Sequence, residues 1–460
     1  MKNILKYFFL TFIILGSCIT TDKESITYFG GKILHPKTEY VLLYNQDKLI
    51  DSLFLNEHNK FFAEYTDFKE GFYYFQHGPE HQYIYIEPKD SILIRLNTWD
   101  FDETLVFSGS GAEKNNILID CFLEGEKEEK NHNLYMYYAL DSKQFKVKMD
   151  SLLMLRQRKI DVFKTKYEDL PEQYLDLLDI SAKFPIYNRF EKYPSRYKYL
   201  NKVDEFPEID SKFYSYRDNI NINNDTLMFL QPYSRYVVNR LYNNVYSQGF
   251  NSKSKKFTVA LLNTVDKHIN GEKLKNTLLR EMVVNDFLEK SSCNIDNDVF
   301  QTYFELSSNI EDKKQVQRLL NDVKNLHGGS ELVDFEVHDY NKAKINIKSL
   351  VKNKNSVVYI WNPKFISADY LTSRISYLSK NFPHLNFIGI KIKSFNNDDS
   401  IPGIDIKTQF YIDAESKANE FLTSKLPRTL LIDKKGAIVN GYASINSSLI
   451  IKQLKYLQKK

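Results

Sequence analysis

The spacing of apolar residues changes twice along this chain, and each change separates stretches that need different kinds of secondary structure to bury them. From Ile26 to Ser108 the apolar residues come in short runs: Ile26 to Leu34, Glu39 to Tyr44, Leu49 to Leu55, Phe61 to Tyr65, Gly71 to Gln76, Gln82 to Ile86, Ser91 to Asn97 and Thr104 to Phe107. Gly, Pro, Asn, Asp and His punctuate them. Regular short runs with no helical period predict an antiparallel β-sandwich over residues 26–110. Alternation places Ile92, Ile94 and Leu96 on one buried face. Residues 111–327 then follow a helical stripe, clearest at Phe145, Met149, Leu152, Leu153, Ile160, Phe163 and Tyr167. Asp141 and Ser142 stand as N-cap candidates, and Pro171 follows the stripe's end. Further helices are expected after Pro232 and over Lys256 to Asn270, Lys273 to Lys290, Asp298 to Ser307 and Lys313 to Leu326. Gly328-Gly329 reads as a hinge into residues 328–460, where strands and helices alternate. Ser356 to Trp361 and Leu385 to Ile392 are buried strands around a helix at Ala368 to Asn381, and a helix is expected around Ala414 to Ser424. A hairpin around Lys434-Lys435-Gly436 and a helix from Ile445 close the chain.

Three fold types in one chain require several domains, and 460 residues exceed the roughly 250–300 at which single cores stop growing. The fold class is therefore multidomain α+β. Lys+Arg 63 against Asp+Glu 59 leaves a net charge of +4 spread along the sequence, without the basic footprint of a nucleic-acid binder. No phosphate loop, nucleophile elbow or calcium loop occurs, so no cofactor is implied. His77-Gly78-Pro79-Glu80-His81 places two histidines near a carboxylate, but Gly-Pro prevents a helical metal-binding face and a surface hairpin is expected. No metal site is implied. The 32 Tyr and 32 Phe cluster at Tyr187-Phe190-Tyr193-Tyr197-Tyr199 and Phe213-Tyr214-Tyr216, as core at helical spacing or as a platform for sugar or peptide.

The first residues read as a targeting signal. Lys2 and Lys6 precede an apolar run from Tyr7 to Leu15 that is too short to span about 30 Å of bilayer, and Leu15-Gly16-Ser17-Cys18 follows. This ending resembles a bacterial lipobox. The resemblance implies a signal peptide over residues 1–17, a diacylglycerol on Cys18, and a tether over 18–25. Ile19, by analogy with lipoprotein sorting, directs the anchored chain to the outer rather than the inner membrane of a bacterial cell envelope. The other cysteines are Cys121 and Cys293, 172 residues apart, which fits one long-loop disulfide or two buried thiols.

The Gly71-Phe72-Tyr73 strand, the Pro88-Lys89-Asp90-Ser91 turn and Gly109-Ser110-Gly111-Ala112-Glu113-Lys114-Asn115 look like the N-terminal module of envelope lipoproteins that end in a thioredoxin-like domain. In the C-terminal part, Val357-Val358-Tyr359-Ile360-Trp361 and Leu426-Pro427-Arg428-Thr429-Leu430-Leu431-Ile432-Asp433 resemble two signatures of membrane-tethered thiol-disulfide reductases. The resemblance implies a thioredoxin fold over 328–460, with Pro427 cis. In that family a Cys-x-x-Cys pair follows the tryptophan, where a helix N-terminus and the neighbouring thiol lower the nucleophile's pKa. Here those positions are Phe365 and Ala368, and no cysteine follows Cys293. Lys364 and Ser367 read as loop and N-cap residues. The expectation is a redox-inactive domain with no catalytic residue, using Trp361, Phe365, Leu426 and Pro427 as a surface for an envelope protein or peptide. Two alternatives are a thiol oxidoreductase acting through Cys121 or Cys293, and a glycan- or nutrient-capture lipoprotein using the aromatic middle.

Overall fold

The structure is a computed structural model that describes residues 26–45, 48–167, 169–251, 254, 256–289, 297–363, 366–392, 400–422, 428–447 and 449–460. These form two compact units, divided between Asn243 and Asn244.

The first unit opens with β1 (Ile26–Leu34), β2 (Tyr40–Asn45), β3 (Lys48–Phe54), β4 (Lys60–Thr66), β5 (Gly71–His77), β6 (Glu80–Ile86) and β7 (Ser91–Asn97). A helical turn, α1 (Phe101–Thr104), then leads into β8 (Val106–Ser108). They make two four-stranded sheets, ordered β4-β1-β7-β8 and β3-β2-β5-β6. One shared core takes Phe29, Ile92, Ile94 and Leu96 from the first sheet and Val41, Leu43, Phe75 and Ile84 from the second, which makes the pair a sandwich. The expectation of purely antiparallel pairing fails at one place: β1 and β7 run parallel. Gly31 sits at that pairing, where a Cβ would lie 2.3 Å from the Ile94 carbonyl oxygen, so only glycine fits.

Helices α2 (Ala112–Glu129), α3 (His132–Met136), α4 (Ser142–Lys166), α5 (Glu172–Asn201) and α6 (Gln231–Ser247) follow. Asp141 caps α4, its side chain accepting from the Gln144 N–H, which is the capping expected from the sequence. The second glycine of the Gly-x-Gly-Ala-x-x-Asn run, Gly111, has φ +87 at the start of α2. Its Asn115 is buried and hooks the outer edge of β6. Asn115 Oδ1 accepts from the Tyr85 N–H at 2.7 Å, and Nδ2 donates to the Tyr85 carbonyl at 2.8 Å. The next residue repeats the device on β8: Asn116 bonds both backbone groups of Phe107 at 3.0 Å. The motif is thus a joint that satisfies two strand edges from one helix turn.

The aromatic clusters form a core. Phe190, Tyr193 and Phe213 pack with Phe145, Met149 and Ile186, and Tyr187 stacks on Tyr216 at 4.6 Å, while Tyr199 is exposed. Glu191 lies fully buried beneath them. It accepts from Tyr216 Oη at 2.8 Å, Arg217 Nε at 2.9 Å and Asn243 Nδ2 at 2.7 Å. Those donors meet the requirement that a buried charge be paired and hydrogen-bonded.

In the second unit α7 (Phe257–His268), α8 (Glu272–Glu289), α9 (Asn297–Leu306) and α10 (Ile310–Leu326) precede a seven-stranded sheet. Its strands are β9 (Glu336–His338), β10 (Lys344–Asn346), β11 (Ser356–Trp361), β12 (Asn386–Ile392), β13 (Gln409–Ile412), β14 (Arg428–Ile432) and β15 (Ile438–Ala443), with helices α11 (Ile347–Val351), α12 (Ala368–Asn381) and α13 (Ile450–Leu457). The order is β10-β9-β13-β12-β11-β14-β15. β11 runs parallel to β12 and antiparallel to β14, and β14 pairs antiparallel with β15. This β-α-β unit joined to a β-hairpin and a closing helix is the thioredoxin-like arrangement expected for the C-terminal stretch. Val357, Tyr359 and Trp361 face α12 and α13, whereas Val358 and Ile360 face the core that holds Leu326 of α10 and Ile347 of α11.

Three local expectations are corrected. Gly328-Gly329 is fastened to the sheet rather than free to hinge: the Gly329 N–H donates to the Ile438 carbonyl at 2.7 Å and the Ile438 N–H to Ser330 at 2.8 Å. Around Ala414 the expected helix shrinks to a 3-10 turn, Lys417–Glu420. Before it stands a strand that the sequence reading does not include, β13.

Asn115→Ala leaves both backbone groups of Tyr85 without their partner at the edge of β6, and is expected to cost about 2–3 kcal/mol. Amide hydrogen exchange at Tyr85 and Phe107 checks this: Tyr85 should lose protection while Phe107, held by Asn116, keeps it. Unchanged exchange at Tyr85 would refute the role given to Asn115.

Candidate functional site

The candidate site lies where β11 runs out and α12 begins. Trp361 ends β11 opposite Lys391 of β12, whose ammonium lies 5.6 Å from the indole centroid. Both residues are 3% exposed, so the pair is a cation–π contact inside the core. Trp361 packs in the core that also holds Ile366, and its own surface is buried. Beyond it Asn362 is buried, and its carbonyl accepts from the Ile366 N–H at 3.2 Å, closing the turn. Ser367 takes the N-cap of α12, accepting from the Tyr370 N–H at 3.3 Å as expected. Pro363, Asp369 and Tyr370 are exposed around this helix start. None of the described side chains of the turn is a thiol, and the Ser367 hydroxyl serves as a cap. Lys364, Phe365, Leu426 and Pro427 lie outside the described residues, as do Cys18 and Cys293.

On the far side of Leu426-Pro427 the chain is held by charge. Arg428, the first residue of β14, turns its guanidinium to Asp322 of α10, with Nη1 2.7 Å from the carboxylate. Both side chains are essentially without solvent contact. Tyr442 Oη donates to the same carboxylate at 3.3 Å, and its ring lies 4.9 Å from the Arg428 guanidinium carbon. Burial pushes the Asp322 carboxyl up to about 6, against the pull of Arg428 and the two hydrogen bonds. α10 also approaches β15 closely, since a Cβ on Gly441 would lie 2.1 Å from the Leu326 carbonyl oxygen. The sequence reading missed this anchor, and only the charged residue at the head of an otherwise apolar strand hinted at it.

The other sequence candidates are structural where they are described. Cys121 on α2 is a free, buried thiol. Burial pushes it up to about 11, against the pull of Lys159 and Arg156. Such a thiol is protonated at neutral pH, the opposite of an activated nucleophile. The β5–β6 hairpin forms around Gly78, but His77 is buried rather than on a polar surface. Its Nε2 accepts from the Lys37 N–H at 2.9 Å and its Nδ1 lies 3.0 Å from the Tyr40 carbonyl. Among the described residues no group of His, Cys, Asp and Glu is arranged to hold a metal.

No protein-family model matches the chain, and no curated protein matches it. Solved structures resemble part of it. A protein from Bacteroides vulgatus designated a thiol-disulfide oxidoreductase is 20% identical, with 29% of this chain and 98% of that one aligned and a TM-score of 0.25. The thioredoxin domain of another Bacteroides vulgatus thiol-disulfide oxidoreductase is 17% identical over 28% of this chain and 99% of its own, with a TM-score of 0.22. A thioredoxin-like protein from Bacteroides caccae is 14% identical over 55% of this chain and 97% of its own, with a TM-score of 0.28.

Removing one partner of a buried ion pair strands the other, so Asp322→Ala is expected to destabilise the second unit by about 3–5 kcal/mol. Replacing both, as Asp322→Leu with Arg428→Met, should recover most of that loss. Unfolding can be followed through Trp361 in a Trp99→Phe background, since the chain has 2 Trp. A double variant as unstable as the single one would show that the pair does not act through charge.

Proposed function

We propose that this chain is a lipid-anchored protein of the bacterial envelope whose thioredoxin-like domain binds a protein or peptide partner without thiol-disulfide chemistry. The observation that carries the reading is the composition of the turn after Trp361. Where the resembled reductases set two cysteines at a helix N-terminus, this chain has Phe365 and Ala368, and its sequence holds no cysteine after Cys293. The helix start itself is retained, with Ser367 capping and Asp369 in the first turn. The strand that follows Leu426-Pro427, β14, is retained as well, held at Arg428. A scaffold that keeps this helix start and this strand while lacking the nucleophile is suited to binding. Cys121, buried with its thiol pushed up, is poorly placed to replace the missing pair. The burial of Phe190, Tyr193 and Phe213 leaves the glycan-capture reading with little aromatic surface.

The anchor rests on the sequence around Cys18 alone; among the described residues no helix is long and apolar enough to cross a membrane. The proposed destination is the outer membrane. Several acyl chains, at about 0.8 kcal/mol per buried methylene, hold such a chain stably where one would not.

Metabolic labelling with a clickable fatty acid should mark the wild-type chain and fail on Cys18→Ala, and labelling that survives the substitution would remove the anchor from the proposal. For the binding role, a photo-crosslinker at Phe365 or at Leu426 should capture one discrete partner in cells, whereas the same probe at the exposed turn residue Lys435 should not. Equal capture from all three positions, or none from the first two, would count against a recognition edge.

A further inference from the structure

The first unit contains a cleft that the reading above does not use. It has a volume of about 470 Å³ and lies among the end of α2, α3, α5 and α6. That size falls within the roughly 300–1,000 Å³ of small-molecule sites. Arg189, Lys192 and Arg196 line it from α5, Arg235 lines it from α6, and Glu128 and Glu129 come from the end of α2. The α5 residues are spaced three and four apart, so they share one helix face, where like charges repel and cost stability.

The two carboxylates do not neutralise this row. Glu128 is shared, with Oε1 2.7 Å from Arg156 Nη2 and Oε2 3.0 Å from Arg189 Nη2. Glu129 Oε1 lies 3.5 Å from Arg235 Nη1. Among the described residues Lys192 and Arg196 have no ion-pair partner. Four cations face two carboxylates, which leaves two positive charges over at the cleft. Burial, followed by the neighbouring Arg235, Arg196 and Arg189, pushes Lys192 below the ordinary lysine range against the pull of Glu129. Arg189 is 8% exposed and its Nη1 has no hydrogen-bond partner. A buried guanidinium N–H without an acceptor is costly unless something supplies one. Beside the charges stand Leu134, Tyr135 and Tyr138, an apolar wall against which an organic group can lie.

We propose that this cleft binds a small ligand carrying a dianionic oxyanion head, a phosphate monoester, paired by Lys192 and Arg196 over Arg189, with its organic part against Tyr135 and Tyr138. The charge excess matches a dianion, and the tyrosine wall favours an ester over the free ion. This site is independent of the partner-binding edge in the second unit, and either can fail without the other.

Calorimetric titration of the full chain tests it, with phenyl phosphate, inorganic phosphate and succinate as probes against chloride at matched ionic strength. Phenyl phosphate should bind saturably at one site and more tightly than inorganic phosphate, and succinate should bind more weakly than both. Lys192→Met with Arg196→Gln should weaken phenyl phosphate binding by about tenfold or more, while the melting temperature without ligand should not fall, because neither residue is paired and their removal relieves repulsion along α5. Glu129→Gln should tighten binding, a gain that a folding defect cannot mimic. No saturable binding of phenyl phosphate up to about 10 mM would overturn the proposal, as would binding indifferent to both variants. Succinate binding tighter than either phosphate would overturn the phosphate assignment.

Discussion

A buried hydrogen-bonding group must find a partner inside the protein, and in this molecule that demand decides where helices meet strands. The edge of β6 presents the backbone of Tyr85 to the first turn of α2, which has no free acceptor of its own. Asn115 supplies acceptor and donor from one amide, and Asn116 does the same for Phe107. Apolar contacts could hold α2 near the sandwich at many angles. Two amides reading two backbones allow one. Glu191 acts similarly within the helices, where its donors draw the segment around Tyr216 and Arg217 onto α5. In the second unit Asp322 and Arg428 fix α10 to the first residue of β14.

That last tie gives the start of β14 its footing. β14 begins at this buried ion pair, and its neighbour β11 ends at Trp361, packed against Lys391. Neither anchor is chemically reactive. Both hold backbone in place.

Elements with a clean period were legible. Ile92, Ile94 and Leu96 point into the sandwich because strict alternation leaves no other register, and α4 begins at the cap that Asp141 signals. The long helix α5 was not legible. It contains Pro185 and Pro194, and it buries Ile186, Arg189, Glu191 and Tyr193 on faces that do not form one stripe. A helix surrounded by protein has no polar side to set its period, so amphipathicity is silent there. β13 was missed because four residues are too few to show alternation. The parallel pairing of β1 with β7 joins residues more than sixty positions apart, and local pattern carries no strand order.

The sequence by itself determined the succession of a strand-rich, a helical and an α/β stretch, the missing cysteine pair after Trp361, and the lipobox-like residues around Cys18. These depend on residue type and short-range spacing, which the chain displays directly. Tertiary structure alone decided that the tyrosine and phenylalanine clusters are core, that Cys121 is shut away from solvent, and that Arg428 is paired with Asp322. It also decided that three cations of α5 share a cleft with Arg235. Each of these depends on which distant side chains come within a few ångströms, and burial and charge compensation are properties of that neighbourhood rather than of any residue in the string.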